Sequence, residues 1–541
     1  MEQVLATADR LSPAVDEPAA RRRRASLRDA IAVLALLAVF PVVHDIKNML
    51  TAPYFLDEAW VALSWRFPIS DLPSLTASTP LGWSLLLRLV PDADFLRVVP
   101  LAFHLIMITA AYAFGRLLAW QSAGTGVLAG VVSAAVVLLI PAQQVRHDLK
   151  QYTADAAMTL ILLAVSAWIE ASWSRRRLGA LVGVAGVGML LSHVTAIAAA
   201  CVFGGLMLVA LARRQRARAV ETMVAGVVVA LVGAAIYLGA SANGRTSSLE
   251  EFWRESFPSL GDLPSYLWQR ANGLSPLLGA QRPLQALIFA AFSLFGVLTI
   301  AKRQRPSTAV AIILLPVAAV LLGVARVYPL LDLRTSHFLL VAIAAVAGLG
   351  VVGAADSTAA FVRTLSPGWR TGLATAICAV VLVAFAADNR RWYRFDGDAP
   401  GVDYDAPMAE EDIRSAVDYV TAHSSPDDVI AISVMSSYGF AFYWQRNPIE
   451  VVRYGNAVGW NVGVPTQPNI VWVQSDNAVG IRQFLDQALD RAGKLGHDSR
   501  VWLIRSHVLP TERDAWQAAL TNYQLELVTG GPEPVGVLTR K

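Results

Sequence analysis

Tyr54-Phe55-Leu56-Asp57-Glu58-Ala59-Trp60 sets two adjacent carboxylates among aromatic and aliphatic side chains. The stretch comes shortly after an apolar run from about Ile31 to Val43. Ionisable groups beside a bilayer are costly to hold and mark function. An acidic pair at that depth can take a proton from an alcohol or hold a cation. The alternative is a plain helix cap for Ala59–Phe67. The flanking Tyr54, Phe55, Leu56 and Trp60 speak instead for an interfacial position.

The rest of the chain supplies the bilayer. Its 541 residues are 55% hydrophobic and only 16% charged, where a soluble domain carries roughly a quarter charged residues. Mean hydropathy is +0.48. The net charge of +4 comes from short basic clusters between apolar segments, which is a topology signal and not a nucleic-acid footprint. Cys201 and Cys378 lie inside apolar segments and form neither a disulfide framework nor a metal-ligand spacing. The run after Arg21–Arg24 reads as a retained first membrane helix, because no small-residue cleavage site follows it.

Stretches long enough to span a bilayer fall near 27–46, 95–118, 123–141, 156–173, 178–192, 194–212, 219–241, 284–301, 308–326, 337–355 and 371–388. This predicts an α-helical polytopic protein with about eleven spans. The basic clusters Arg21–Arg24, Arg175–Arg177, Arg213–Arg218, Lys302–Arg305 and Arg363 with Arg370 are separated by even numbers of those spans. They share one side, which the positive-inside rule makes cytoplasmic. Residues 1–26 are then a cytoplasmic tail, 27–388 the membrane domain and 47–94 a first outer loop. The multi-pass chain belongs in the plasma (inner) membrane, with its chemistry on the outer face.

Residues 389–541 change character. Helical patterns at Glu410–His423, Ile481–Ala492 and Thr511–Tyr523 alternate with strand runs at Val429–Val434, Val471–Gln474, Val501–Ile504, Leu525–Val528 and Val535–Leu538. That alternation predicts a small extracytoplasmic α/β domain with a largely parallel sheet. Gly530-Gly531-Pro532 reads as a turn.

Two more outward segments carry charge. Arg146-His147-Asp148-Leu149-Lys150-Gln151-Tyr152-Thr153-Ala154-Asp155 places Arg146 and Lys150 four apart, which on a helix is one face and a natural phosphate clamp. Asp155 opens the next span, as an N-cap or as a second acidic group facing Asp57. Arg326-Val327-Tyr328-Pro329-Leu330-Leu331-Asp332-Leu333-Arg334-Thr335-Ser336-His337 ends with Arg334 just ahead of a span. That arginine either snorkels to headgroups or binds phosphate. His193 stands at a tight outer turn, as a packing residue or a substrate contact.

These pieces resemble the GT-C class of membrane glycosyltransferases, nearest the protein O-mannosyltransferase and aminoarabinose transferase branch. The resemblance rests on Phe55-Leu56-Asp57-Glu58-Ala59, on Thr79-Pro80-Leu81-Gly82 leading into the second span, and on Lys150-Gln151-Tyr152-Thr153-Ala154-Asp155. Tyr328-Pro329 with Arg334-Thr335-Ser336 completes it. It covers residues 27–388. It implies an inverting glycosyltransferase that moves a hexosyl or pentosyl group from a polyprenyl-phosphate sugar to a hydroxyl on a glycan, lipid or protein. By that resemblance Asp57 is the base, Glu58 orients it or holds a cation, and Asp155 helps to fix a substrate. Arg146, Lys150 and Arg334 receive the phosphate, and Tyr152, His193 and Tyr328 touch substrate. A divalent cation is left open. Two other readings compete: a lipid-linked sugar transporter or flippase, and a non-catalytic envelope assembly protein. A transporter would carry ionisable pairs at mid-bilayer or a two-fold pattern of broken helices. Here Arg116 and Pro316 are the main interruptions.

Overall fold

A computed structural model describes residues 17–541 except 76–78, 119–122, 242–252, 363–365, 394–411, 445–448, 454–460, 466, 497–498, 507, 509 and 530–532. The Gly530–Pro532 turn and the start of the expected Glu410 helix lie outside the described residues.

The membrane domain begins with α1 (Glu17–Val43), then the short helices α2 (Ile46–Thr51), α3 (Leu56–Leu63), α4 (Leu72–Leu75) and α5 (Leu81–Leu87). It continues with α6 (Val98–Leu118), α7 (Ala123–Leu139), α8 (Gln143–Arg146), α9 (Tyr152–Ala171), α10 (Arg175–Leu191), α11 (Val194–Ala212) and α12 (Arg216–Ile236). After α13 (Leu263–Leu274) come α14 (Pro283–Lys302), α15 (Pro306–Val324), α16 (His337–Phe361) and α17 (Pro367–Asn389).

Nine helices among the described residues are long and apolar enough to cross a membrane. The stretches expected near 123–141 and 178–192 are also helical. However, α7 and α10 have only 17 residues each, about 25 Å of rise against a hydrocarbon core of about 30 Å. The expected eleven spans are thus nine full-length helices and two short ones. Helix α16 is almost entirely enclosed by its neighbours, whereas α12, α14 and α17 bury only a tenth of their length. Apolar side chains such as Leu284, Leu287, Val380 and Val383 stay exposed on those outer helices, as lipid-facing surfaces do. At the centre α14 and α16 touch backbone to backbone through Gly296 and Gly350, the small-residue contact by which membrane helices approach closely.

The two ends of the bundle differ. At one end Arg175 Nε lies 2.8 Å from Glu221 Oε1, and Arg116 Nε 2.9 Å from Asp29 Oδ1. Glu170, in the last turn of α9, accepts hydrogen bonds from Ser307 N (2.7 Å) and Thr308 N (2.9 Å) in the first turn of α15. A carboxylate there satisfies free amides and meets the positive end of the α15 dipole. The basic clusters after α9, α11 and α14 gather at this end. The acidic helix α3 and the C-terminal domain lie at the other.

The C-terminal domain comprises α18 (Ile413–His423), β1 (Val429–Ser433), α19 (Ser437–Tyr443), β2 (Ile449–Arg453), β3 (Asn461–Pro465) and β4 (Ile470–Val473). It closes with α20 (Ala478–Leu495), β5 (Val501–Ile504), α21 (Pro510–Leu520), β6 (Tyr523–Leu527) and β7 (Val535–Arg540). One sheet has the order β4-β1-β5-β7-β6. Strands β4, β1 and β5 are parallel, while β7 and β6 join antiparallel. The sheet is therefore mixed. Val429 and Ala431 face a core with Ile481, Leu485 and Trp516, while Ile430 and Ile432 face one with Val417, Val420 and Phe440. Side chains alternate across a strand, so both faces are covered. The β2–β3 hairpin and α19 have no counterpart in the sequence expectation. They break its strand–helix alternation with a seven-residue helix and a ribbon.

Candidate active site

Helix α3 carries Asp57 and Glu58 in its first turn, where the amides and the helix dipole favour anions. Adjacent residues of a helix point in different directions. The two carboxylates accordingly have different fates.

Glu58 is buried and fully engaged. Its Oε1 takes Arg97 Nε at 2.7 Å and Leu149 N at 2.9 Å. Its Oε2 pairs with Arg97 Nη2 and caps Phe55 N at 3.3 Å. Arg97 also donates to the carbonyls of Met49, Ala52 and Pro53. A buried bidentate pair of this kind holds geometry more than it adds stability. What it holds here is the 147–150 segment against α3. Trp83 Nε1 donates to Leu149 O at 2.9 Å and fixes the same segment from α5.

Asp57 faces the two other charged segments. Lys150 Nζ lies 3.0 Å from its Oδ2, and Arg334 Nη1 bonds to that same oxygen. Side-chain exposure is 15% for Asp57, 8% for Lys150 and 10% for Arg334. Burial by itself pushes the Asp57 carboxyl up, but the ammonium and guanidinium override it. Together they hold the group well below the usual carboxylate range. The Lys150 ammonium also lies 5.4 Å from the Trp60 ring centre, a favourable position over an aromatic face.

Arg334 is presented by a tight loop. Asp332 Oδ1 accepts from Arg334 N (3.0 Å) and Thr335 N (3.2 Å), and Tyr328 OH donates to Thr335 O at 2.9 Å. Leu331 takes φ +50° in this loop, an unusual conformation for a bulky residue and one that gathers at functional sites.

The remaining expected site residues are placed differently. Arg146 does not join Lys150. Its guanidinium donates to Val137 O at 2.6 Å, with Leu138 O and Ile140 O at 3.4 and 3.5 Å. It closes the C-terminal carbonyls of α7, where a cation is favoured. The segment is helical only through Arg146, so the four-residue spacing to Lys150 does not define one face. Asp155 is buried in the first turn of α9 and bonds to Ser192 and the Val194 backbone at the α10–α11 turn. His193 occupies the residue just ahead of α11 at that turn, with no capping hydrogen bond from its side chain. Tyr152 is buried among Leu274, Leu277, Leu333 and Leu340. Tyr328 stacks edge-on against Phe338.

Asp57 pairs with two cations and Glu58 with a third. Among the described residues, no group of three or more His, Cys, Asp or Glu has metal-holding geometry.

Two buried groups were not singled out as site residues from the sequence. Arg97 is a basic residue ahead of α6 on the side where the basic clusters are absent, and that mismatch was its signal. Asp148 is buried; its Oδ1 accepts from Lys150 N at 2.9 Å and its Oδ2 has no hydrogen-bond partner among the described residues. Burial, together with the Glu58 charge, pushes its carboxyl up.

The motif glycine Gly82 lies against α10. A Cβ there would come within 2.5 Å of Leu190 O, so the residue is required by close approach.

No family model matches the chain, and no curated protein matches it. Solved structures do. The crystal structure of ArnT from Cupriavidus metallidurans bound to undecaprenyl phosphate superposes with a TM-score of 0.53 at 14% identity, over 94% of this chain and 97% of that one. The apo state of the same protein gives a TM-score of 0.50 at 13% identity, with the same coverage. The chain thus shares the fold of these ArnT structures across nearly its whole length.

Proposed function

We propose that this protein moves a sugar from a polyprenyl-phosphate carrier to an acceptor hydroxyl, with inversion at the anomeric carbon, on the outer face of the plasma (inner) membrane. The observation that carries the reading is the shared carboxylate of Asp57, bonded to both Lys150 and Arg334 through one oxygen. Two buried cations converging on one anion form a receptor for a lipid phosphate. The fold likeness to a protein whose structure holds undecaprenyl phosphate supports that class of donor.

The chemistry follows from the pairing. A polyprenyl phosphate is a good leaving group and needs little help from a general acid. Its phosphate competes with Asp57 for Lys150 and Arg334. Once those cations turn to the phosphate, burial is the main influence left on Asp57, and its affinity for a proton rises. The acceptor oxygen attacks the anomeric carbon and its proton passes to Asp57. The bond from that carbon to the phosphate oxygen breaks, and the freed anion stays on Lys150 and Arg334. Donor arrival therefore switches on the base. Glu58 and Arg97 keep the 147–150 segment in register with α3. Arg146 supports the end of α7, Tyr328 braces the Arg334 loop, and Tyr152 packs beneath it. Asp155 holds the α10–α11 turn, and with it His193, beside the site.

The test uses the purified full-length protein with synthetic polyprenyl-phosphate sugars and a panel of alcohol acceptors, following released polyprenyl phosphate. Wild type releases it in an acceptor-dependent way. Asp57→Asn lowers the rate about 100- to 10,000-fold, the range of a lost general base. Undiminished turnover in that variant overturns the reading.

A further inference from the structure

Helix α19 is only seven residues long, yet it joins two cores. Phe440 and Trp444 belong to the core of the C-terminal sheet, whereas Tyr438, Ala441 and Phe442 belong to that of the membrane domain. Val434 and Met435, on the loop leading into it, join the membrane-domain core as well. From Ser437 to Phe442 every residue is buried. Its partner in the membrane domain is α3, the helix that carries Asp57.

The grip covers the length of α3. Before its first turn, Tyr54 N donates to Tyr443 OH at 2.8 Å, and the Tyr54 ring meets Phe442 with centres 5.4 Å apart. Midway, the Trp60 and Tyr438 ring centres are 5.9 Å apart. Beyond its end, the Arg66 guanidinium donates to Ala441 O and Phe442 O. Trp60 is the ring beside which the Lys150 ammonium sits, and that ammonium pairs with Asp57. A continuous chain of contacts runs from Tyr438 through Trp60 to Lys150 and Asp57.

We infer that α19 is a positioning element of the phosphate-binding site: the C-terminal domain, docked through Tyr438 on Trp60, sets where α3 holds Lys150 and Asp57. The inference rests on the function proposed above for that site. The α19 contacts named above reach Tyr54, Trp60 and Arg66, not the reacting groups. Tyr438 acts through Trp60, whose ring it packs against, and Arg66 through the angle of α3. Loosening the dock frees the Trp60 ring and lets the Lys150 ammonium leave its place. An aromatic contact of this kind is worth about a three- to tenfold change in an equilibrium.

The experiment takes full-length wild type, Tyr438→Ala, Tyr438→Phe and Arg66→Met, each purified as the folded fraction by size exclusion. Two readouts are made. The first is the acylation rate of Lys150 relative to exposed Lys302, by mass spectrometry. The second is binding of undecaprenyl phosphate. Tyr438→Ala and Arg66→Met should raise relative Lys150 labelling about three- to tenfold and weaken lipid-phosphate binding by a similar factor. Tyr438→Phe keeps the ring and should restore both. A merely structural role would lower the yield of folded protein and leave both readouts unchanged in what remains. Unchanged Lys150 labelling in Tyr438→Ala and Arg66→Met overturns the inference, whether or not the lipid binds. Wild type that fails to bind undecaprenyl phosphate overturns the donor assignment instead, and the labelling still decides the role of α19.

Discussion

Asp57 and Arg334 are 277 positions apart in the chain and share an ion pair through one carboxylate oxygen, which Lys150 also reaches at 3.0 Å. Three segments far apart in sequence supply the three groups. Their meeting point is a place where one anion can be exchanged for another.

Exchange gives Asp57→Asn a double signature. With the competing carboxylate removed, a lipid phosphate no longer has to displace Asp57 from either cation. Undecaprenyl phosphate should bind at least as tightly as to wild type, while transfer falls about 100- to 10,000-fold. Binding and turnover measured on one preparation separate the two effects. A parallel collapse of both would mean that Asp57 shapes the site rather than reacting in it.

Both cations should matter for lipid-phosphate binding. Lys150→Met and Arg334→Met each remove a charged hydrogen bond worth about 1.5–3 kcal/mol, or roughly a 10- to 150-fold loss of lipid-phosphate affinity. Arg334→Lys should recover only part, because an ammonium lacks the planar fork of a guanidinium. Titrations at two salt concentrations provide the check.

Acid should act on Asp57 late. Its folded-state pKa is depressed, so the stability from its two pairs is present above the ordinary carboxylate range. It is withdrawn only as pH falls below that range toward the depressed value. Asp148 has the opposite sign. Its carboxyl is pushed up by burial, so its cost to folding grows as pH rises above the ordinary carboxylate range. Asp148→Asn should raise the thermal midpoint more at about pH 8 than at about pH 5, since only the former ionises the wild-type group. Equal shifts at both values would refute the assignment.

Arg97→Met strands the Glu58 carboxylate in the interior. Removing one partner of a buried pair costs about 3–5 kcal/mol, and unfolding in detergent should show it. The double variant Arg97→Met with Glu58→Gln should regain part of the loss, because no charge is left buried.

Much of this site was legible in the chain, and the reasons are local. Asp57, Lys150 and Arg334 are charged groups next to apolar spans, where composition alone makes them conspicuous. The helix positions were legible for the same reason, since long apolar runs leave little choice of structure. Arg146 misled because its neighbour at i+4 suggested a continuous helix that ends at Arg146 itself. Nothing local to Glu58 points to its partner, because Arg97 lies some forty residues on in the chain. The docking of α19 had no sequence signal. Ser437–Tyr443 contains no long periodic pattern, and both of its faces are covered by distant parts of the chain.

Glu170 adds a mechanical consequence. It ties the far end of α9 to the start of α15, and the opposite ends of these two rods lead to Lys150 and Arg334. The pair is therefore braced like the jaws of tongs whose pivot lies across the bilayer.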